Sequence, residues 1–182
     1  MNIKTRIRGI DYYLEALSPE AVKKNTDKAM NILMDMGVKR ADWGFNTLRG
    51  MGRLFTETGS AYIGDVDAKI TSKKSENGFK ITATGDSVLF IEFGAGIKYG
   101  HGHPQESEFG MGAGTYPDGK GHWDDPNGWY LPVEKAGKRG VKSKGNIPHM
   151  PMYYTGLKIK RNAGKVFRSV FITGRGGESV DV

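Results

Sequence analysis

The chain contains no cysteine, which excludes disulfides and thiolate metal sites. It also lacks any apolar run of the ~18 residues that a membrane-spanning helix needs. The opening MNIKTRIRGIDYY is charged and has no apolar stretch of the kind a secretory signal carries, so synthesis in the cytoplasm is expected. Apolar residues are scarce, at 37% of the 182 positions, while the 27 glycines amount to about twice the ordinary share. Much of the chain is therefore expected in extended loop. Acidic residues are almost missing from one segment: positions 133–175 hold 11 Lys/Arg against Glu134 alone, whereas positions 1–132 hold 16 against 17. The net charge of +7 belongs to that basic segment and has to be explained there.

What is present reads as one domain over 1–182. A helix-plus-sheet core covers 1–94, an extended arm 95–147, a C-terminal helix region 148–173 and a flexible tail 174–182. Ile3, Thr5 and Ile7 alternate with Lys4, Arg6 and Arg8, as in an edge strand. Ser18-Pro19-Glu20 opens a helix with a hydroxyl N-cap, proline at the first helical position and an acid in the first turn. Val22, Ala29, Leu33 and Met36 share one face of it, and Gly37 is a plausible stop, although VKRADWGFNTLRG can resume as helix. A hairpin follows. Val66, Ala68 and Ile70, then Phe79, Ile81 and Ala83, alternate with polar residues around TSKKSENG, where Asn77-Gly78 suits a turn. SVLFIEFG reads as a short helix capped by Asp86 and Gly94, with a strand as the alternative.

Positions 94–145 carry 13 glycines and four prolines, yet Tyr99, Phe109, Tyr116, Trp123, Trp129 and Tyr130 stud them. Disordered chains are poor in aromatics, so this stretch is expected to be ordered by a surface it lies against, and WYLPV can add a short strand. After Pro148 and Pro151, the residues Ile159, Ala163, Val166, Phe167 and Val170 form one helical face, with Lys158, Arg161, Lys165 and Arg168 on the opposite one.

Three constellations could carry chemistry. His101 and His103 would project to one side of an extended segment, and His122 with Asp124 or Asp125 could complete a metal site for a hydrolase. The spacing matches no familiar ligand signature, and the plainer reading has these imidazoles bonding backbone at loop turns. Glu92, the one charge in an apolar stretch, could be a general acid; more simply, it caps or salt-bridges within the fold. No phosphate-binding glycine loop and no nucleophile elbow accompanies them, so neither enzyme chemistry nor a cofactor is expected. The basic segment is a solvated face, a contact for nucleic-acid phosphates or a contact for an acidic protein. No helix-turn-helix or zinc-finger pattern supports base reading.

FIEFGAGI, then GAGTYPDGKGHW, DDPNGWYLP and NIPHMPMYYTGL, taken in that order from Asp86 to Leu157, resemble the tail-completion proteins of long-tailed double-stranded-DNA bacteriophages. These are also called neck or head–tail joining proteins. Pro148 and Pro151 match the family's proline-rich stretch, the opening IKTRIRGIDYYLEAL only echoes it, and Ala95 stands where the family usually has threonine. The resemblance implies an α+β fold, a long helix packed on a curved antiparallel sheet, with a Gly/aromatic-rich arm and a C-terminal amphipathic helix. Phe90, Glu92, Phe93, Gly94 and Gly96 form the motif's centre. It implies a non-enzymatic virion protein in a homo-oligomeric ring, commonly a hexamer. The implied neighbours are portal or head-closure proteins on one side and tail-tube or tail-terminator proteins on the other, with genomic DNA passing through. The histidines would then belong to an interface arm.

Overall fold

The computed structural model describes residues 17–48, 53–56, 59–62, 68–76, 78–85, 87–112, 125–131 and 141–173. The strand expected over 3–8, the tail, and the positions Val66, Asn77, Asp86, Tyr116, His122, Trp123 and Asp124 lie outside them.

The fold is α+β: a long helix packs against a small antiparallel hairpin and a C-terminal helix. Helix α1, Pro19–Leu48, starts as its sequence demands. The Ser18 hydroxyl accepts the Ala21 amide at 3.2 Å, Pro19 needs no donor, and Glu20 meets the positive end of the helix dipole. The helix does not stop at Gly37. Ala29, Leu33, Gly37, Ala41 and Phe45, spaced by four, make a buried row, with Gly44 beside it. A Cβ at Gly37 would overlap the tip of Ile81 and come within 2.8 Å of the tip of Ile159. Glycine here admits two neighbours to the helix surface, a gain set against its ~1 kcal/mol helical penalty relative to alanine. Val22 lies on the same face but is 36% exposed, because it stands two turns before the first buried core residue, Ala29.

Helix α2, Val88–Phe93, confirms the helical reading of SVLFIEFG, with Ser87 rather than Asp86 at its N-cap and Gly94 closing it onto the Phe90 carbonyl. Helix α3, Pro151–Arg168, continues as a π-helical turn, Ser169–Thr173. It runs antiparallel to α1, since Gly44 abuts Pro151, Gly37 abuts Ile159, and Ala29 and Leu33 cluster with Val166 and Val170. Phe79, Ile159, Ala163 and Phe167 pack against that cluster. A second cluster, Phe45, Val88 and Ile91, joins the far half of α1 to α2, Ile70, Ala83 and Met152.

The hairpin consists of β3, Lys69–Ser75, and β4, Gly78–Thr84. Their register pairs Ser75 with Gly78, which sets the turn one residue earlier than expected and places Gly78 in the ladder itself. Ile70, Ser72 and Lys74 face inward together with Ala83, Ile81 and Phe79. Lys74 reaches Asp27 of α1 at 2.8 Å, and that ammonium holds the Asp27 carboxyl below the usual carboxylate range. Short strands β1 (Arg53–Thr56), β2 (Gly59–Tyr62), β5 (Trp129–Leu131) and β6 (Val141–Ser143) form a separate antiparallel sheet in the order β2-β1-β6-β5. The strand expected from WYLPV is β5; β1, β2 and β6 are too short for a period of two to reveal. Among the described residues no helix is long and apolar enough to cross a membrane.

Candidate functional site

The residues of the FIEFGAGI and NIPHMP segments meet at the junction of α2 and α3. Helix α3 starts without a cap of its own. Its N-cap, Met150, has no side-chain oxygen and is held in the left-handed region at φ 57°, and Pro151 occupies N1. That leaves the amides of Met152 and Tyr153 pointing out of the helix end. Glu92, sixty residues earlier, fills the gap: Oε2 accepts Met152 N–H at 2.7 Å and Oε1 accepts Tyr153 N–H at 2.8 Å. A carboxylate at a helix N-terminus is favoured by both the free amides and the dipole. Burial to 5% exposure strengthens each bond by removing competing water.

The same Oε1 takes a third contact, from His103 Nε2 at 3.1 Å. The Gln105 amide donates to His103 Nδ1 at 3.1 Å, which assigns the imidazole proton to Nε2. Both ring nitrogens and both carboxylate oxygens are thus engaged, and His103 is 3% exposed. Around the pair runs an aromatic row. Phe109 tilts against Phe93 with ring centroids 5.4 Å apart, Phe93 lies 4.3 Å from His103, and His103 meets the edge of Tyr153 at 5.4 Å. Tyr154 continues it from Tyr153 at 5.7 Å. The row is buried in the middle and open at its ends, where Phe109 is 59% and Tyr154 45% exposed.

The other ends of these segments are tied reciprocally. The Ile91 carbonyl at the C-terminus of α2 accepts the His149 N–H at 2.8 Å, and the Phe90 carbonyl, which already takes the Gly94 amide, also accepts from Asn146 Nδ2 at 2.7 Å. Ala95 and Asn146 exchange both backbone bonds. Gly145, at φ 108°, permits this approach, because a Cβ there would overlap the Ala95 carbonyl oxygen. Burial lowers the pKa of the His149 imidazole beside this crossing.

Several expected site residues take different places. His101 and His103 do not project together: His101 is exposed and meets the Lys98 carbonyl at 3.0 Å, as a loop-turn imidazole does, whereas His103 is buried against Glu92. Asp125 is exposed and accepts the Asn127 amide at 2.8 Å. Among the described residues no three His, Asp or Glu side chains gather as a metal would require. The first part of the stretch read as an arm folds back on its own chain, burying Ala95, Gly96, Gly100, His103 and Met111. Tyr99 is half-buried with Lys98 over its ring at 5.3 Å. Trp129 and Tyr130 lie in β5, paired with Ser143 and Lys142. Arg161, Lys165 and Arg168 are exposed and Lys158 half-buried, all on the side of α3 away from Val166.

Sequence reading identified Glu92 as a cap or ion-pair residue but not its partners. Two deficits in the sequence answer each other: an acid alone in an apolar helix, and a helix start, Met150-Pro151, with no capping oxygen. No protein-family model, no curated protein and no solved structure matches the chain.

Proposed function

We propose that this protein is a structural component of a bacteriophage neck, a ring-forming connector that joins the portal end of the head to the tail and lets DNA pass. The observation that carries this reading is the full engagement of the motif residues by the fold. Glu92 and His103 hold α2, the 101–112 loop and α3 together, with every polar atom of the pair occupied. Residues spent on a rigid junction suit a subunit whose task is mechanical, and the sequence resemblance points the same way. The exposed ends of the aromatic row, Phe109 and Tyr154, offer apolar anchors for a neighbouring copy in a hexamer-like ring.

The basic face of α3 then meets an acidic surface of an adjacent portal, head-closure, tail-tube or tail-terminator ring. No acidic residue interrupts α3, and among the described residues no carboxylate pairs with Lys158, Arg161, Lys165 or Arg168. The mature protein belongs in the virion, after synthesis in the host cytoplasm. Native mass spectrometry of the purified chain, alone and with portal and tail-tube proteins, tests the reading. A closed ring, or assembly on adding those partners, is expected. A monomer that joins neither would refute it.

A further inference from the structure

The hairpin has a second, polar face. The β3–β4 register places Lys73 directly opposite Lys80, Thr71 opposite Thr82 and Lys69 opposite Thr84, all on the side away from α1. Lys69, Lys73 and Lys80 are exposed. Like charges directly opposed across a ladder destabilise it, and here no described carboxylate relieves them. The contrast with Lys74 is informative. The one hairpin lysine on the inner face has a counter-ion, Asp27, while the three on the outer face have none among the described residues. Lysines do guard free strand edges against pairing, but that duty does not require an opposed pair. The only carboxylate within 69–84 of the described hairpin is Glu76, exposed at the turn.

We propose that this outer face binds the phosphate backbone of double-stranded DNA without reading sequence. Four residues of extended strand separate Lys69 from the Lys73–Lys80 pair, about 13 Å at 3.3 Å per residue. That span is close to the ~12 Å width of a B-DNA major groove, which admits a two-stranded ribbon, so the ammoniums reach the phosphate rows on its two sides. Thr71 and Thr82 lie between them. The face has no arginine, asparagine or glutamine to fork onto a base edge, and its flexible lysines act as point charges suited to phosphate, so the contact is to backbone. The surface depends neither on a ring nor on a partner protein, and its test is independent of theirs.

The experiment is fluorescence anisotropy of a labelled duplex of about 30 base pairs, titrated with the full chain across a salt series. The comparison is between the native protein, the triple variant Lys69→Gln/Lys73→Gln/Lys80→Gln, and a variant with the four basic residues of α3 changed to glutamine. The triple hairpin variant should flatten the plot of log affinity against log salt by roughly 2.7, or 0.9 for each lysine lost. Two duplexes of different sequence should bind the native chain equally. Circular dichroism should show the triple variant folded, because it removes a repulsion. Absence of binding by the native chain at low salt overturns the proposal. So does a salt slope that the hairpin variant leaves unchanged, or equal affinity for polyglutamate, which would assign the face to an acidic protein.

Discussion

Replacing Glu92 by alanine should destabilise the fold by about 3–5 kcal/mol. Three donors lose their acceptor at once: the amides of Met152 and Tyr153 and the Nε2–H of His103. A buried donor left unpaired costs about 1–3 kcal/mol, and the losses overlap because one carboxylate serves all three. Loss of negative charge at the N-terminus of α3 contributes roughly 0.3–1 kcal/mol within that total. Glu92→Gln should cost less, about 2 kcal/mol, since Oε1 remains for Tyr153 and His103 while the new NH₂ faces the Met152 N–H donor to donor. Equilibrium urea unfolding followed by circular dichroism measures both. A double-mutant cycle with His103→Ala isolates the side-chain pair, with a coupling of about 1–2 kcal/mol expected. An alanine variant within about 0.5 kcal/mol of the parent, the range of an ordinary surface substitution, would refute the junction as an energetic keystone.

Gly145→Ala should cost roughly 3 kcal/mol, because it combines a strained positive φ with overlap on the Ala95 carbonyl, and amide exchange should show the 95–146 bridge opened. Phe79→Ala should cost about 2–3 kcal/mol in urea midpoints, less than a fully buried phenylalanine, since this ring is half-exposed on the Val166–Val170 cluster. The half-buried His149 has a lowered pKa, so below about pH 6.5 the unfolded chain takes up a proton that the folded chain does not. Stability should therefore fall as pH drops from about 6.5 towards the folded value, and His149→Gln should remove that part of the pH profile. On the proposed connector reading, reversing Lys165 and Arg168 to glutamate should leave the subunit folded but impair head–tail joining, most visibly at low salt where charges are least screened, as scored by assembled particles.

Local chemistry made some of this fold legible in the sequence. Ser18-Pro19-Glu20 starts α1 because a hydroxyl, a missing donor and an acid each answer a need of the first turn, all within three residues. The alternation in 68–84 gives the hairpin and its buried face, and the spacing of Ile159, Val166 and Val170 gives the core side of α3. Each of these signals involves neighbours along the chain. Tertiary structure decided the rest. Gly37 looks like a stop by its own propensity, yet the close approach of Ile81 and Ile159 keeps it inside a helix. His101 and His103 look equivalent one residue apart, but the turn between them sends one to water and the other to Glu92. The opposition of Lys73 and Lys80 follows from a turn set one residue earlier than Asn77-Gly78 implies, which re-pairs every position along the two strands while each side chain keeps its expected face. The cap of α3 is the clearest case. Its acceptor lies sixty positions away, and only the packing of α2 beside Met150 brings the carboxylate to the waiting amides.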